Sequence, residues 1–140
     1  MIGDDTGEPR DDPPTSVPPR VLVVEDDPSV RSLLAAVLAA EGYEVRCAGD
    51  GVEALRAVGD QSPALVLLDV VLPDLDGLHV LRRLAAEPAA TGLPVLAVTG
   101  STEAVPPLLG LLGADRVLVK PFAVAQLLAA VARLTGQATR

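Results

Sequence analysis

The sequence predicts an α/β domain in which a five-stranded parallel sheet is covered by helices on both faces. Three observations predict it. Short, unbroken apolar runs recur at residues 21–24, 65–68, 94–98 and 117–119, as strands buried on both faces require. Stretches with apolar residues at helical spacing separate these runs. Gly, Pro and Asp punctuate each change of pattern. Right-handed crossovers then restrict how such strand–helix units can be wound.

Residues 1–19 carry Pro9, Pro13, Pro14, Pro18 and Pro19 among acids and few apolar groups. Such a stretch cannot bury enough surface to offset its ordering entropy, so it reads as a disordered acidic, proline-rich tail. The domain itself is expected over residues 20–136, with 137–140 a short C-terminal tail. Residues 21–24 form the first strand. Asp27 then stands as an N-cap before Pro28 at the first helical position. Val30, Leu33, Leu34, Val37 and Leu38 follow as one apolar helix face, which Gly42 ends. Residues 43–48 are a second strand, 49–51 a turn, and 52–59 a short helix closed by Gly59. The third strand covers 65–68. Leu78, Leu81 and Leu84 mark a third helix closed before Pro88, with Asp74 and Asp76 shaping the loop before it and capping it. Residues 94–98 give the fourth strand. The fourth helix is weak: Pro106 and Pro107 fit only its first turn, and Gly110 costs about 1 kcal/mol relative to Ala. Val117–Val119 is the fifth strand, and Val124, Leu127, Leu128, Val131 and Leu134 define the last helix.

Composition narrows the functions. The 140 residues suffice for one core. With 11 basic against 19 acidic residues the net charge is −8, and no basic cluster is visible, which argues against a nucleic-acid or anionic-membrane surface. Tyr43 and Phe122 are the only aromatic residues, so the core is aliphatic. The single Cys47 excludes an intrachain disulfide and fits a reducing compartment; it reads as a small apolar strand residue. The N-terminus has no signal region, and no apolar run nears the ~18 residues of a membrane span. A cytoplasmic location is expected. His79 has no partner spaced for a metal and reads as a partly exposed helix residue, and Arg82-Arg83 as a solvated face.

Chemistry collects at the strand ends. Glu25-Asp26 follow the first strand, Asp69 the third, Thr99 the fourth and Lys120 the fifth. In a sheet ordered 2-1-3-4-5, strands one and three are neighbours at the switch point, where ligands bind. Three carboxylates gathered there repel one another unless a cation intervenes or a pKa rises. Mg²⁺ suits them, since it takes oxygen ligands, and the backbone carbonyl of Val71 is placed to add one. Asp69 is then a candidate nucleophile toward phosphorus. Lys120 supplies a second positive centre, Thr99 a hydroxyl, and Gly100 a backbone N–H beside an uncrowded entrance. Each residue alone has an ordinary structural reading, such as a cap, turn or solvated lysine; the four strand ends in this order point jointly to one site.

These pieces carry a resemblance. Val23-Val24-Glu25-Asp26-Asp27, Leu67-Leu68-Asp69, Leu72-Pro73-Asp74-Leu75-Asp76-Gly77, Val98-Thr99-Gly100 and Val119-Lys120-Pro121-Phe122 resemble the receiver domain of two-component response regulators over about residues 20–136. The resemblance implies a flavodoxin-like (βα)5 three-layer sandwich with strand order 2-1-3-4-5. It implies that Asp69 accepts a phosphoryl group from a sensor histidine kinase or phosphotransfer protein. Asp26 and Asp69 are then direct Mg²⁺ ligands, Glu25 acts mainly through water, and the Val71 carbonyl contributes a ligand. Thr99 and Lys120 contact the phosphate, and the Lys120–Pro121 peptide is cis. Such a domain is a signalling module rather than a turnover enzyme. The expectation is a stand-alone receiver acting by protein–protein contact on an unknown downstream protein, with a homodimer through the helix 4–strand 5–helix 5 face as one form of contact.

The sequence also departs from the pattern. Val117 stands where many receivers carry an aromatic switch residue, and helix four is short and proline-broken. A phosphorylation-independent pseudo-receiver, acting as an interaction module, is therefore the alternative. An aspartate-nucleophile phosphatase is disfavoured, because Val71 occupies the position of its second Asp. No Gly-x-Gly-x-x-Gly or Walker-type loop suggests a nucleotide enzyme.

Overall fold

A computed structural model describes residues 17–72 and 76–136. The expected tails at 1–16 and 137–140, and the loop role of Asp74, lie outside the described residues. Among the described residues five strands alternate with five α-helices: β1 (Arg20–Val24), α1 (Pro28–Ala40), β2 (Glu44–Ala48), α2 (Gly51–Gln61), β3 (Leu65–Asp69), α3 (Gly77–Ala86), β4 (Val95–Thr99), α4 (Val105–Leu112), β5 (Val117–Val119) and α5 (Val124–Thr135). Short 3₁₀ turns at Pro88–Ala90 and Ala114–Arg116 precede β4 and β5. All strand pairs are parallel, in the order β2-β1-β3-β4-β5.

Strand alternation divides the core into two layers. Leu22, Val24, Val66, Leu68, Val95 and Ala97 face α2, α3 and α4, where Ala54, Val58, Val80, Leu84 and Leu108 meet them. Val21, Val23, Leu65, Leu67, Leu96 and Val98 face the opposite way, onto Leu38 of α1 and Leu127 and Val131 of α5. β1, β3 and β4 have apolar side chains on both faces because helices cover both. The outer strands differ. In β2, Arg46 and Cys47 are exposed and only Ala48 is buried, and β5 is at most half-buried. Cys47 is thus an exposed edge residue rather than a packed apolar one.

Asp27 and Asp76 cap their helices as expected, and Asp50 and Gln126 add two further caps. Asp27 accepts from the N–H groups of Ser29 (2.8 Å) and Val30 (3.3 Å) before Pro28 starts α1. Asp50 accepts from Glu53 N–H at 2.7 Å, and Asp76 from Leu78 N–H at 3.1 Å. At α5 the Gln126 side chain turns back to accept from Ala123 N–H at 2.8 Å.

Several boundaries differ from expectation by one or two residues, and three of these elements show why. α2 runs through Gly59 to Gln61 and stops at Ser62, whose φ of 49° is left-handed. Gly59 keeps helical backbone, and Ser62 supplies the terminating conformation before Pro63. β4 begins at Val95 and includes Thr99, and β2 begins at Glu44, leaving Tyr43 outside. The fourth helix does form. Pro106 and Pro107 lie in its first turn, where their missing N–H groups have no intrahelical partner to lose. Leu108 is fully buried beneath it, while Leu109 and Leu111 remain exposed. Among the described residues no helix is long and apolar enough to cross a membrane.

Gly110 is exposed in α4, and a Cβ there would meet nothing within 4 Å. Gly110→Ala should therefore stabilise the domain by about 0.5–1 kcal/mol, from backbone entropy alone. Urea unfolding of the two proteins checks this, and an unchanged midpoint would contradict it.

Candidate functional site

Parallel strands place all their C-terminal ends on one edge of the sheet. β1 hands over there to Glu25, which is 3 % exposed. Its N–H donates to the Ala48 carbonyl at 3.0 Å, tying this loop to the end of β2. Its carboxylate accepts from Asp27 N–H at 3.2 Å. Asp26, next to it, faces solvent. Asp69 closes β3 and is 7 % exposed. Its Oδ1 accepts from Val71 N–H at 2.9 Å, a tight side-chain turn that leads the chain out of the sheet. Its Oδ2 accepts from Lys120 Nζ at 3.1 Å. The same ammonium lies 3.7 Å from Glu25 Oε1. Oxygens of Glu25, Asp26 and Asp69 all lie within 4.8 Å of one another.

Thr99 ends β4 and is fully buried. Its Oγ1 accepts from Ser101 N–H at 2.9 Å, which leaves its own hydroxyl hydrogen free to donate elsewhere. Its carbonyl accepts from Lys120 N–H at 2.8 Å. Gly100 is exposed, and a Cβ there would rest 3.8 Å from the Lys120 stem. Thr99 and Gly100 therefore adjoin the cluster through Lys120. The Lys120–Pro121 peptide is cis. Val71 offers its backbone N–H to Asp69 and is itself 61 % exposed.

Two residues outside the sequence-derived site shape it. A Cβ on Gly77 would lie 2.3 Å from Val70 Cα, and Gly77 N–H donates to the Val70 carbonyl at 3.0 Å. The start of α3 thus presses against the strand end beside Asp69, and only glycine fits. The signal in sequence was the Asp76-Gly77 pair, which reads equally well as an ordinary helix start. Arg31, one turn into α1, donates from Nη1 to the Glu25 carbonyl at 2.9 Å. Its spacing from Glu25 carries no sequence signal.

The electrostatics follow from crowding. Burial, the hydrogen bond to Asp69 and the Asp69 charge push the Glu25 carboxyl up from 4.5 to about 7, against opposition from Asp27 N–H and Lys120. Burial alone would lower the Lys120 pKa. The hydrogen bond to Asp69 and the charges of Asp69, Glu25 and Asp26 outweigh it, so the ammonium is held more firmly than usual. One ammonium against three carboxylates leaves the site short of positive charge. A hard divalent cation fits this donor set, which is all oxygen, close together and under-neutralised. Glu25, Asp26 and Asp69 each offer a carboxylate oxygen that could hold such a cation.

Two outcomes test this geometry. Gly77→Ala should cost about 1–3 kcal/mol in chemical unfolding through overpacking against Val70; a neutral change would contradict the close approach. The second concerns pH. Between pH 4.5 and about 7 the folded chain keeps a Glu25 proton that the unfolded chain has given up. This group's contribution to stability is therefore complete below pH 4.5 and is lost as pH rises through 7. In metal-free buffer the stability of Glu25→Gln relative to the parent should thus increase across that window; parallel curves would contradict it.

Comparison with known proteins agrees with this architecture. Residues 21–132 match the response regulator receiver domain. The DNA-binding response regulator MtrA of Mycolicibacterium smegmatis is 45 % identical over 113 residues, covering 80 % of this chain and 48 % of that protein. The response regulator MprA of Mycobacterium sp. strain KMS is 45 % identical over 114 residues, 81 % of this chain and 49 % of its own. The chain thus spans about half the length of these curated relatives. A CheY-like receiver domain protein from Methanospirillum hungatei JF-1 superposes with a TM-score of 0.75 at 30 % identity, over 86 % of this chain and 95 % of that one. The receiver domain of sensor histidine kinase PA1611 from Pseudomonas aeruginosa PAO1 has a magnesium ion coordinated in its active site cleft. It superposes with a TM-score of 0.74 at 29 % identity, over 86 % of this chain and 100 % of its own. By the match over residues 21–132, the strand order and these relatives together, the chain belongs to the response regulator receiver domain family.

Proposed function

We propose that Asp69 accepts a phosphoryl group from a phosphohistidine on a sensor kinase or phosphotransfer protein, and that the phosphorylated domain signals through protein contacts. Receiver domains are phosphoacceptor modules rather than turnover enzymes. The observation that carries the reading is the Asp69 carboxylate. It is buried at a strand end, held by Val71 N–H on one oxygen and Lys120 on the other, beside Glu25 and Asp26.

In the transfer, an Asp69 oxygen forms a bond to phosphorus as the phosphorus–nitrogen bond of the donor breaks, and the imidazole leaves with the electron pair. Lys120, already aligned on Asp69, neutralises charge on the phosphoryl oxygens. The Thr99 hydroxyl and Gly100 N–H are the further donors at that edge. Asp26, Asp69 and the Val71 carbonyl would hold Mg²⁺ directly, with Glu25 acting through water. The bound cation supplies Lewis-acid neutralisation of the phosphoryl group.

A donor also needs a place to dock. Between α1 and α5 lies an apolar groove of about 530 Å³, lined by Leu33, Leu34, Val37, Phe122 and Leu127 and reaching Lys120 itself. Leu33 is 63 % exposed on its rim. A protein donor seated there would carry its histidine to Asp69. On the other side, Leu109, Leu111 and Val119 are exposed on α4 and β5, a surface for the downstream protein or a second copy. Val117 is half-buried against the α4-side core, so readout there proceeds without an aromatic switch.

Acetyl phosphate with Mg²⁺ should label the parent protein at Asp69, seen by mass spectrometry, and Asp69→Asn should abolish the label while leaving the circular dichroism spectrum intact. Leu33→Asp should reduce transfer from the cognate histidine kinase about tenfold or more and leave acetyl phosphate labelling unchanged. An unlabelled parent protein that still binds a partner would instead favour the pseudo-receiver.

A further inference from the structure

We infer that Arg31 is a positioning residue for the cation site: it fixes the Glu25–Asp26 peptide so that Asp26 is aimed at Asp69, although its guanidinium is a cation beside a site for cations. The inference rests on the proposed metal-dependent reading of the site.

The Glu25–Asp26 segment is held by few contacts. Glu25 N–H is taken by the Ala48 carbonyl at 3.0 Å, and the Glu25 carbonyl by Arg31 Nη1 at 2.9 Å. These two bonds grip the Glu25 backbone from both sides. The Glu25 side chain has its own anchors in Asp27 N–H and Lys120. Asp26 does not: among the described residues its carboxylate makes no hydrogen bond or ion pair, and it is solvent-exposed. The backbone before it therefore sets where its Cα–Cβ bond points, and so the region its carboxylate can reach. Without Arg31 the carbonyl of a residue that is 3 % exposed loses its partner, and the peptide is free to turn in search of water.

Arg31 is itself held from below. It belongs to the first turns of α1, where its N–H donates to the Asp27 carbonyl at 2.9 Å. Its guanidinium lies over the turn after β2, where a Cβ on Gly49 would come within 3.1 Å of Nη1. Gly49 N–H in turn donates to Glu53 Oε1 at 2.7 Å, which fixes that turn to α2. The side chain thus bridges the β1–α1 loop and the β2–α2 turn, and Gly49 leaves the room it needs.

Charge and position predict opposite signs, which makes the role testable. A positive charge near the ligands opposes cation binding, so a purely electrostatic Arg31 would be better removed. A purely structural Arg31 would change unfolding but leave metal affinity alone. Positioning predicts that removal weakens affinity, as loss of an outer-shell partner typically does, by about tenfold or more.

The test is isothermal calorimetry with MgCl₂ on the parent chain, Arg31→Met, Arg31→Lys and Gly49→Ala, each checked for folding by circular dichroism. Arg31→Met should bind Mg²⁺ about tenfold more weakly. Arg31→Lys, which keeps one donor, should recover part of the loss. Gly49→Ala keeps every charge but crowds the guanidinium, and should weaken binding in the same direction. Folded Arg31→Met and Gly49→Ala proteins that bind Mg²⁺ as tightly as the parent, or more tightly, would overturn the inference and leave the metal-site reading standing. If Arg31→Met fails to fold, Gly49→Ala alone decides. A parent chain that does not bind Mg²⁺ would overturn the metal-site reading, and this inference with it.

Discussion

The contact between Lys120 and Asp69 organises this molecule. The two residues are 51 positions apart in sequence and meet at 3.1 Å. They can do so only if β3, β4 and β5 lie side by side, parallel and in register. Glu25 and Asp26 enter the same space only because β1 lies on the other side of β3. Everything the site can do depends on placing three carboxylates around one ammonium, an arrangement the fold holds against repulsion. Burial first, and then the hydrogen bond to Asp69 and its charge, push the Glu25 carboxyl up within that cluster.

The scaffold tolerates that cluster because the three central strands are so uniformly apolar. Both faces of β1, β3 and β4 are sealed by aliphatic residues and helices, so the polar groups are confined to the strand ends. There, local turns take over. Asp69 closes a turn on Val71, Thr99 closes one on Ser101, and Gly77 brings α3 hard against Val70. These contacts engage part of each side chain and leave the remainder facing the edge: one Asp69 oxygen toward Lys120, and the Thr99 hydroxyl hydrogen. On the proposed reading that remainder is the phosphoryl site, and Arg31 is the brace for its one unsupported carboxylate.

Much of this was legible in the sequence, for identifiable reasons. Strand runs, caps at Asp27 and Asp76, and the residues at four strand ends are local signals, and local chemistry dictates them. What was not legible depends on tertiary neighbours. Gly59 looked like a helix stop, but nothing forces a glycine out of helical backbone, and the left-handed residue turned out to be Ser62. Cys47 reads as a small apolar strand residue, yet β2 is the sheet's edge and leaves it exposed. Helix four looked broken. Its two prolines fall in the one turn that accepts them, and the buried Leu108 anchors it to the core. Gly77 and Arg31 matter through close approach and a side chain reaching back to a carbonyl, and neither has a periodicity to read.

On the proposed reading the carboxylate cluster is a cation site whose ligands repel one another when it is empty. Thermal unfolding at pH 8, with Mg²⁺ and with chelator, tests it most directly on the parent chain and on Asp26→Ala. At ten times the dissociation constant, Mg²⁺ should stabilise the parent by about 1.4 kcal/mol, raising Tm by roughly 4–7 °C, and should do little for Asp26→Ala. A parent melting temperature indifferent to Mg²⁺, or an equal rise in both proteins, would contradict the account.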